Sequence, residues 1–289
     1  MLKRLLALLS VVAASGCATN LSTMDTARTT PVKHVQMNMA YGIHAPLGWT
    51  SGVFSAGASM LQNKFDEKPV FTAEQAEELY ESALELALMP PAAIWQIQAR
   101  TGILDDLDVG LRYSTTQLRL DTKFRFHHAG DDELRSSHAA VGFGVSMYLF
   151  SNPVFDWLGY VKIDGFSRWD FEIPLLYSFE YRRSFMFYCG AKYIYTRFSL
   201  DENLYNLQLK VTELADQPAI VDQVDSDMHF FGSVLGLGGG YKYVYVFTEL
   251  SFGYVHATPE MYSFIDKQKK PRDLGGVTLY PSIGLIVRI

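Results

Sequence analysis

Six side chains of metal-ligating type crowd one stretch of this chain: His127, His128, Asp131, Asp132, Glu133 and His138. By ligand type they could hold a divalent cation. A solvated polar turn accounts for them more simply, and no metal site is expected. A second acidic stretch holds Glu213, Asp216, Asp222, Asp225 and Asp227, but it lacks the spacing and the glycine of a calcium-binding loop. Serine, histidine and aspartate nowhere fall into a context that marks a membrane-embedded hydrolase or protease. The chain is therefore read as no enzyme, with no catalytic residue and no cofactor.

Cys17 is the residue with the clearest chemistry. Lys3 and Arg4 precede an apolar run from Leu5 to Ala14, which ends in Ala14-Ser15-Gly16-Cys17. Positive start, apolar middle and small-residue exit make an export signal. The run is shorter than the ~20 residues a membrane helix needs. The ending resembles the lipobox of bacterial lipoproteins, in which cleavage before the cysteine frees a thiol that carries diacylglycerol. Ala14 stands where that motif prefers leucine. Ordinary cleavage nearby, with Cys17 a free thiol, is the alternative. Residues 1–16 are thus a lipoprotein signal peptide and 17–32 a lipidated linker, with a palmitate-type acyl chain expected on Cys17. Ala18, following the cysteine, implies transfer to the outer membrane.

Removing Lys3 and Arg4 takes the formal charge from −6 to −8. Phosphate binding needs a basic surface, so nucleic acid is not a partner. The two cysteines are Cys17 and Cys189, so acylation of the first leaves no intramolecular disulfide. Aromatic residues reach 14%, a load that suits a membrane-facing surface.

The elements that must position any site are strands. In Gln117–Phe126, Leu118, Leu120, Thr122, Phe124 and Phe126 share one face, and Arg119, Asp121, Lys123 and Arg125 share the other. Side chains alternate along a strand, so this segment has an apolar side and a charged side. Trp169–Arg182, Phe185–Phe198 and Val244–His256 repeat the pattern, with Glu172, Glu180, Lys192 and Glu249 on their polar faces. These runs exceed the ~5–6 residues of a globular strand and match the ~9–11 that cross a bilayer at a tilt. A soluble sandwich or lipocalin-like barrel would alternate too, but with shorter strands and the apolar face inward.

The expected fold is all-β: an antiparallel transmembrane β-barrel over residues 33–289 with about ten strands, by the rule that barrels alternate short and long links. The strands begin near His34, Ala92, Leu107, Gln117, His138, Trp169, Phe185, Met228, Val244 and Gly275. Twelve strands result if Gly52–Leu61 and Tyr205–Val211 also cross. The Ser114–Thr116 turn is the one short link on the long-loop side. Pro174 and Pro281 each remove a ladder donor and call for a bulge. Ser282, Gly284, Val287 and Ile289 are spaced as in the last-strand signal read by barrel-assembly machinery, with Ile289 in place of the usual aromatic residue. One acidic helix is expected near 73–88. It opens on a Thr72-x-x-Gln75 capping box, carries Ala76, Leu79, Tyr80, Ala83 and Ala87 at helical spacing, and stops at Pro90-Pro91. It lies in the first long loop, either capping the mouth or decorating the rim.

Thr26-Ala27-Arg28-Thr29-Thr30-Pro31 after the cysteine, and Gly102-Ile103-Leu104-Asp105-Asp106-Leu107-Asp108-Val109-Gly110-Leu111-Arg112-Tyr113 further on, carry a resemblance. Together they resemble the uncharacterised outer-membrane β-barrel lipoproteins of Gram-negative bacteria, which have a TAR segment and a GxxDxLDxGLRY hairpin. The resemblance implies architecture and location: an anchor through Cys17 and a barrel that spans the outer membrane. Its implied partners are outer-membrane lipids and the lipoprotein-processing and barrel-assembly machinery. It implies no activity and no ligand.

The polar faces converge on the lumen. Arg100, Arg112, Arg119, Asp121, Lys123 and Arg125 come from strands two to four. Glu172, Glu180, Lys192 and Glu249 come later. Facing walls of opposite sign admit two readings. Arg and Glu meet and fill the interior, as in small barrels, and the barrel is an anchor with a structural or surface-binding role. Or water separates the walls and the charges set a field across a narrow channel for small polar solutes or ions. The filled lumen is the leading reading, transport the second, and a lipid-modifying enzyme or protease the third.

Overall fold

A computed structural model describes residues 19–48, 71–115, 117–131, 134–149, 162–182, 184–209, 211, 218 and 220–289. Ten strands close into a barrel: β1 (Val35–Pro46), β2 (Ala92–Leu104), β3 (Leu107–Ser114), β4 (Gln117–Asp131), β5 (Arg135–Tyr148), β6 (Lys162–Tyr181), β7 (Phe185–Asn203), β8 (Val221–Tyr241), β9 (Val244–Ala257) and β12 (Leu274–Arg288). Each pairs antiparallel with its chain neighbours, and β12 closes on β1 with Gln36 opposite Arg288. Closure leaves no strand edge unpaired. β10 (Glu260–Ser263) and β11 (Gln268–Pro271) form a separate hairpin between β9 and β12.

The ten-strand expectation holds. Of the two further candidates, Tyr205–Val211 is not a strand but opens on a short helix, α2 (Tyr205–Gln208), because Leu204 and Leu207 turn inward onto the apolar core instead of alternating. Gly52–Leu61 lies outside the described residues. Both prolines sit where pairing lapses on one side. Pairing between β5 and β6 skips from Val141–Leu175 to Gly144–Glu172 around Pro174. Pairing between β1 and β12 skips from Gly42–Ser282 to Ala45–Leu279 around Pro281.

The alternation read along each strand is the inside and outside of the barrel. Leu120, Phe124, Ile173, Leu175, Val246 and Leu285 are exposed on the outer wall, and Arg119, Asp121, Glu172 and Glu249 are buried in the lumen. An apolar exterior around a polar interior is stable only with lipid outside, so the barrel is membrane-spanning. The wall has unequal height: β3 has 8 residues and β8 has 21. Beyond the apolar band the outward residues of β7 and β8 become polar, with Arg197, Asp225 and Asp227 exposed. There the interior becomes apolar, with Phe198, Leu200, Val224 and Met228 buried. The tall strands thus leave the bilayer and build a water-facing head at the end opposite the start of β1 and the end of β12.

Helix α1 (Ala73–Leu88) roofs that head. Thr72 Oγ1 accepts from Gln75 N at 3.2 Å, and Gln75 Oε1 accepts from Thr72 N at 3.1 Å, completing the expected capping box. Ala76, Leu79, Tyr80, Ala83 and Leu84 are buried in one cluster with Leu207, Met261 and Phe264. Tyr80 meets Phe264 edge-on at 6.1 Å. The helix therefore caps the mouth. Glu77, one of the glutamates that make the helix acidic, is buried; it pairs with Arg272 and accepts from Ser263 Oγ.

Candidate functional site

The lumen holds the chain's own N-terminal segment. Residues 19–30 run from the capped end to the end that bears the short turns, and all but Arg28 are buried. The stretch read as a linker is thus the filling of the barrel. The physical cause is a lumen of charged groups too wide for opposite walls to meet everywhere. An extended backbone brings both donors and acceptors, and so satisfies cations and anions alike.

At the capped end Arg168 donates to Thr19 Oγ1, to the Leu88 carbonyl at 2.9 Å and to Asp170 at 3.0 Å. Lys192 Nζ and Ser251 Oγ both donate to the Leu21 carbonyl, at 2.7 and 2.8 Å. Arg112 donates to the carbonyls of Ser22 and Thr23, at 2.6 and 2.9 Å. Glu249 accepts from the main-chain N–H groups of Thr23 and Met24, at 2.8 and 2.6 Å, and from the Tyr188 hydroxyl. Met24 has φ +41, a left-handed turn that aims two successive N–H groups at one carboxylate.

Asp25 lies between Lys123 at 2.7 Å, Arg100 at 3.1 Å and the amide of Gln36 at 3.0 Å. Lys123 also donates to the carbonyls of Thr26 and Arg28. Glu180 receives Arg28 at 2.8 Å and Arg288 at 3.3 Å. The segment leaves with Thr30 N donating to Asp108 at 2.8 Å. It then passes so close to β2 that a Cβ on Gly102 would stand 2.2 Å from the Thr30 carbonyl oxygen.

Of the lumen residues named from sequence, Arg100, Arg112, Arg119, Asp121, Lys123, Glu172, Glu180, Lys192 and Glu249 are all buried inside. Walls also meet directly: Arg288 on β12 reaches across to Glu180 on β6, and Arg119 on β4 pairs with Glu172 on β6 past β5. Arg100 pairs with Asp108 and Asp121 on its own side. Inward glycines make room for these heads: a Cβ on Gly144 would stand 2.6 Å from the Arg119 guanidinium. Arg125 is the exception. It keeps the inward parity, since the β4–β5 register shifts only after it, but it stands level with the β2–β3 turn and pairs there with Asp106 at 2.6 Å.

Cys17 lies outside the described residues, as do Asp132, Glu133, Glu213 and Asp216. The His128 and His138 rings lie 4.9 Å apart, tilted by 35°, with their Nδ1 atoms 3.2 Å apart and Ser136 Oγ beside His138. Asp225 and Asp227 are exposed on the outer side of β8. Among the described residues no three His, Cys, Asp or Glu side chains converge to hold a metal.

Sequence reasoning missed Asp25, Arg28, Arg168, Tyr188 and Arg288. Arg168 and Arg288 share strand parity with Asp170 and Ser282, so the alternation could have found them. Asp25 and Arg28 stand in a stretch without periodicity, and nothing local signals that they are enclosed. Tyr188 was hidden among the aromatic residues of β7. Its ring fits because Gly236 faces it, where a Cβ would lie 2.0 Å away.

No family model matches the chain, and no curated protein matches its sequence. Among solved structures it is similar to the outer membrane protease OmpT of Escherichia coli, with 9% identity, 93% of this chain and 100% of that chain covered, and a TM-score of 0.43. It is similar also to OprG of Pseudomonas aeruginosa, with 11% identity, 92% and 99% covered, and a TM-score of 0.39. The outer membrane phospholipase A of Escherichia coli overlaps more loosely, with 10% identity, 87% and 92% covered, and a TM-score of 0.27. Likeness this shallow carries neither an activity nor a partner to this chain.

Proposed function

We propose that this protein is a lipid-anchored barrel of the Gram-negative outer membrane with a closed lumen, and that it works as a scaffold presenting its capped head to the exterior. One observation carries the reading. Every buried carboxylate of the lumen faces a cation or a main-chain N–H, and the segment 19–30 occupies the space a solute would need. A pore that conducts needs water along its charged wall, and here the cations are spent on carbonyl groups of the same chain. The lipobox-like Ala14-Ser15-Gly16-Cys17, the TAR segment and the Gly102–Tyr113 hairpin support the lipoprotein and outer-membrane parts. The lumen carboxylates are read as structural rather than catalytic because each one is matched.

Single-channel recording of the folded protein tests the closed lumen. The wild type is expected to be silent while its band on a gel remains heat-modifiable. Stable conductance steps that change in a Glu172→Ala/Glu180→Ala variant would favour the second reading, a narrow channel. That reading draws on one feature: the segment is held by hydrogen bonds and ion pairs that water could replace if the segment withdrew.

A further inference from the structure

The segment in the lumen has a direction. At Thr30 it touches Asp108 and Gly102 beside the short turns, the end where Val35 and Ile289 exchange main-chain hydrogen bonds. At Thr19 it touches Arg168 and Met89 beneath the cap. The chain therefore enters β1 from the short-turn end, having already crossed the whole lumen from the other.

The height of Thr19 can be placed. Asp170 accepts from Arg168 at 3.0 Å and from Gln117 at 3.2 Å. Gln117 opens β4 just after the turn from β3, the lowest point of the wall on the capped side. Thr19, held by Arg168, thus lies level with this low rim. Trp95, Tyr113 and Trp169 project outward at the same level, and Trp95 meets Tyr113 edge-on at 5.4 Å. Exposed Trp and Tyr at one height mark a membrane–water interface. Cys17 is two residues before Thr19, and two residues reach at most about 7 Å.

We propose that the mature chain is threaded through its own barrel, so that Thr19, level with the low β3–β4 rim, presents the N-terminal end at the outer interface. The acyl chains on Cys17 then sit in the outer leaflet beside the barrel rather than in the periplasmic leaflet. The lipid part rests on the lipoprotein reading above; the threading does not. Threading also sets an order of events. Signal cleavage and acylation precede closure of β12 on β1, because a closed barrel would have to reopen to admit the segment.

Sidedness is the test. An epitope inserted between Ala18 and Thr19 is expected to bind antibody on intact cells, with no gain on permeabilisation. An epitope in the β8–β9 turn after Lys242 is expected to need permeabilisation. If the N-terminal epitope also appears only after permeabilisation, the threading is overturned. Should the insertion abolish the heat-modifiable band, the single substitution Ala18→Lys with a membrane-impermeant amine reagent reads the same side, the label being located by mass on the N-terminal peptide and so kept apart from the exposed Lys267 and Lys269 of the head: labelling of that peptide on intact cells supports threading, and its labelling only in lysed cells overturns it. The mass of the N-terminal peptide, with Cys17→Ser behind an ordinary export signal as control, reports the lipid separately. An unacylated peptide with the epitope still exposed sinks the lipid reading and leaves the threading standing.

Discussion

Glu249 concentrates the logic of the lumen in one side chain. It is buried, and it gathers two main-chain N–H groups and the Tyr188 hydroxyl. A carboxylate is tolerated there only while all its partners are present, and removing it strands three donors at once. Glu249→Ala is expected to cost about 3–5 kcal/mol, read as a lower urea midpoint of the protein folded in vesicles. Glu249→Gln keeps one acceptor and should fall between. Gly144 tests the opposite fault. Gly144→Ala puts a methyl into the Arg119 guanidinium, whose own partner Glu172 holds it in place. Overpacking of this kind costs about 1–3 kcal/mol; an unchanged midpoint would show that Arg119 can move aside.

Helix α1 owes its start to local chemistry and its place to packing. Thr72→Ala removes the N-cap acceptor and should loosen the cap by about 1 kcal/mol, seen as faster hydrogen exchange in the first turn of α1 while the barrel ladder stays protected. Its acidic face has a pH dependence. Burial, then the neighbouring Glu81, pushes Glu85 up to about 7 from its ordinary value of 4.5. The folded cap therefore favours the uncharged form. Its contribution is complete below the ordinary value and is lost as pH rises through about 7. Limited proteolysis of the cap should accelerate over that window, and Glu85→Gln should flatten the response; a profile unchanged in the variant would assign the effect to another group. Residues 19–30 are an element only by virtue of the barrel around them, since their polar main chain is satisfied by side chains from β1, β3, β4, β6, β7 and β9.

At the scale of the whole molecule, one chain changes solvent twice. In the bilayer it is apolar outside and polar inside, and above the bilayer the tall strands reverse the order around an apolar core. The plug joins the two zones, with Leu21 in the apolar cluster and Asp25 among the lumen charges. Deleting residues 19–30 should leave Lys192, Arg112 and Glu249 without main-chain partners. The deletion is expected either to conduct ions in planar bilayers or to lose the heat-modifiable band. A silent, fully stable deletion would mean that the walls can collapse onto each other, contrary to the role assigned to the segment.

Much of this architecture was legible in the residue order. Alternation along Gln117–Phe126 separates lipid side from lumen side because side chains in a strand have a period of two. Ten strands, the capping box at Thr72 and the inward set from Arg100 to Glu249 follow from that rule and from turn spacing. Arg125 obeys the parity but stands at the rim beside Asp106, because alternation gives the face of a residue and not its height in the wall. What the periodic pattern cannot carry is the identity of a partner. A polar face states that charges must be matched, but not by what. Asp25 and Arg28 are aperiodic, and their partners Lys123 and Glu180 lie far along the chain. Only closure of the barrel brings them together, and it decided that the lumen is filled by the chain's own beginning.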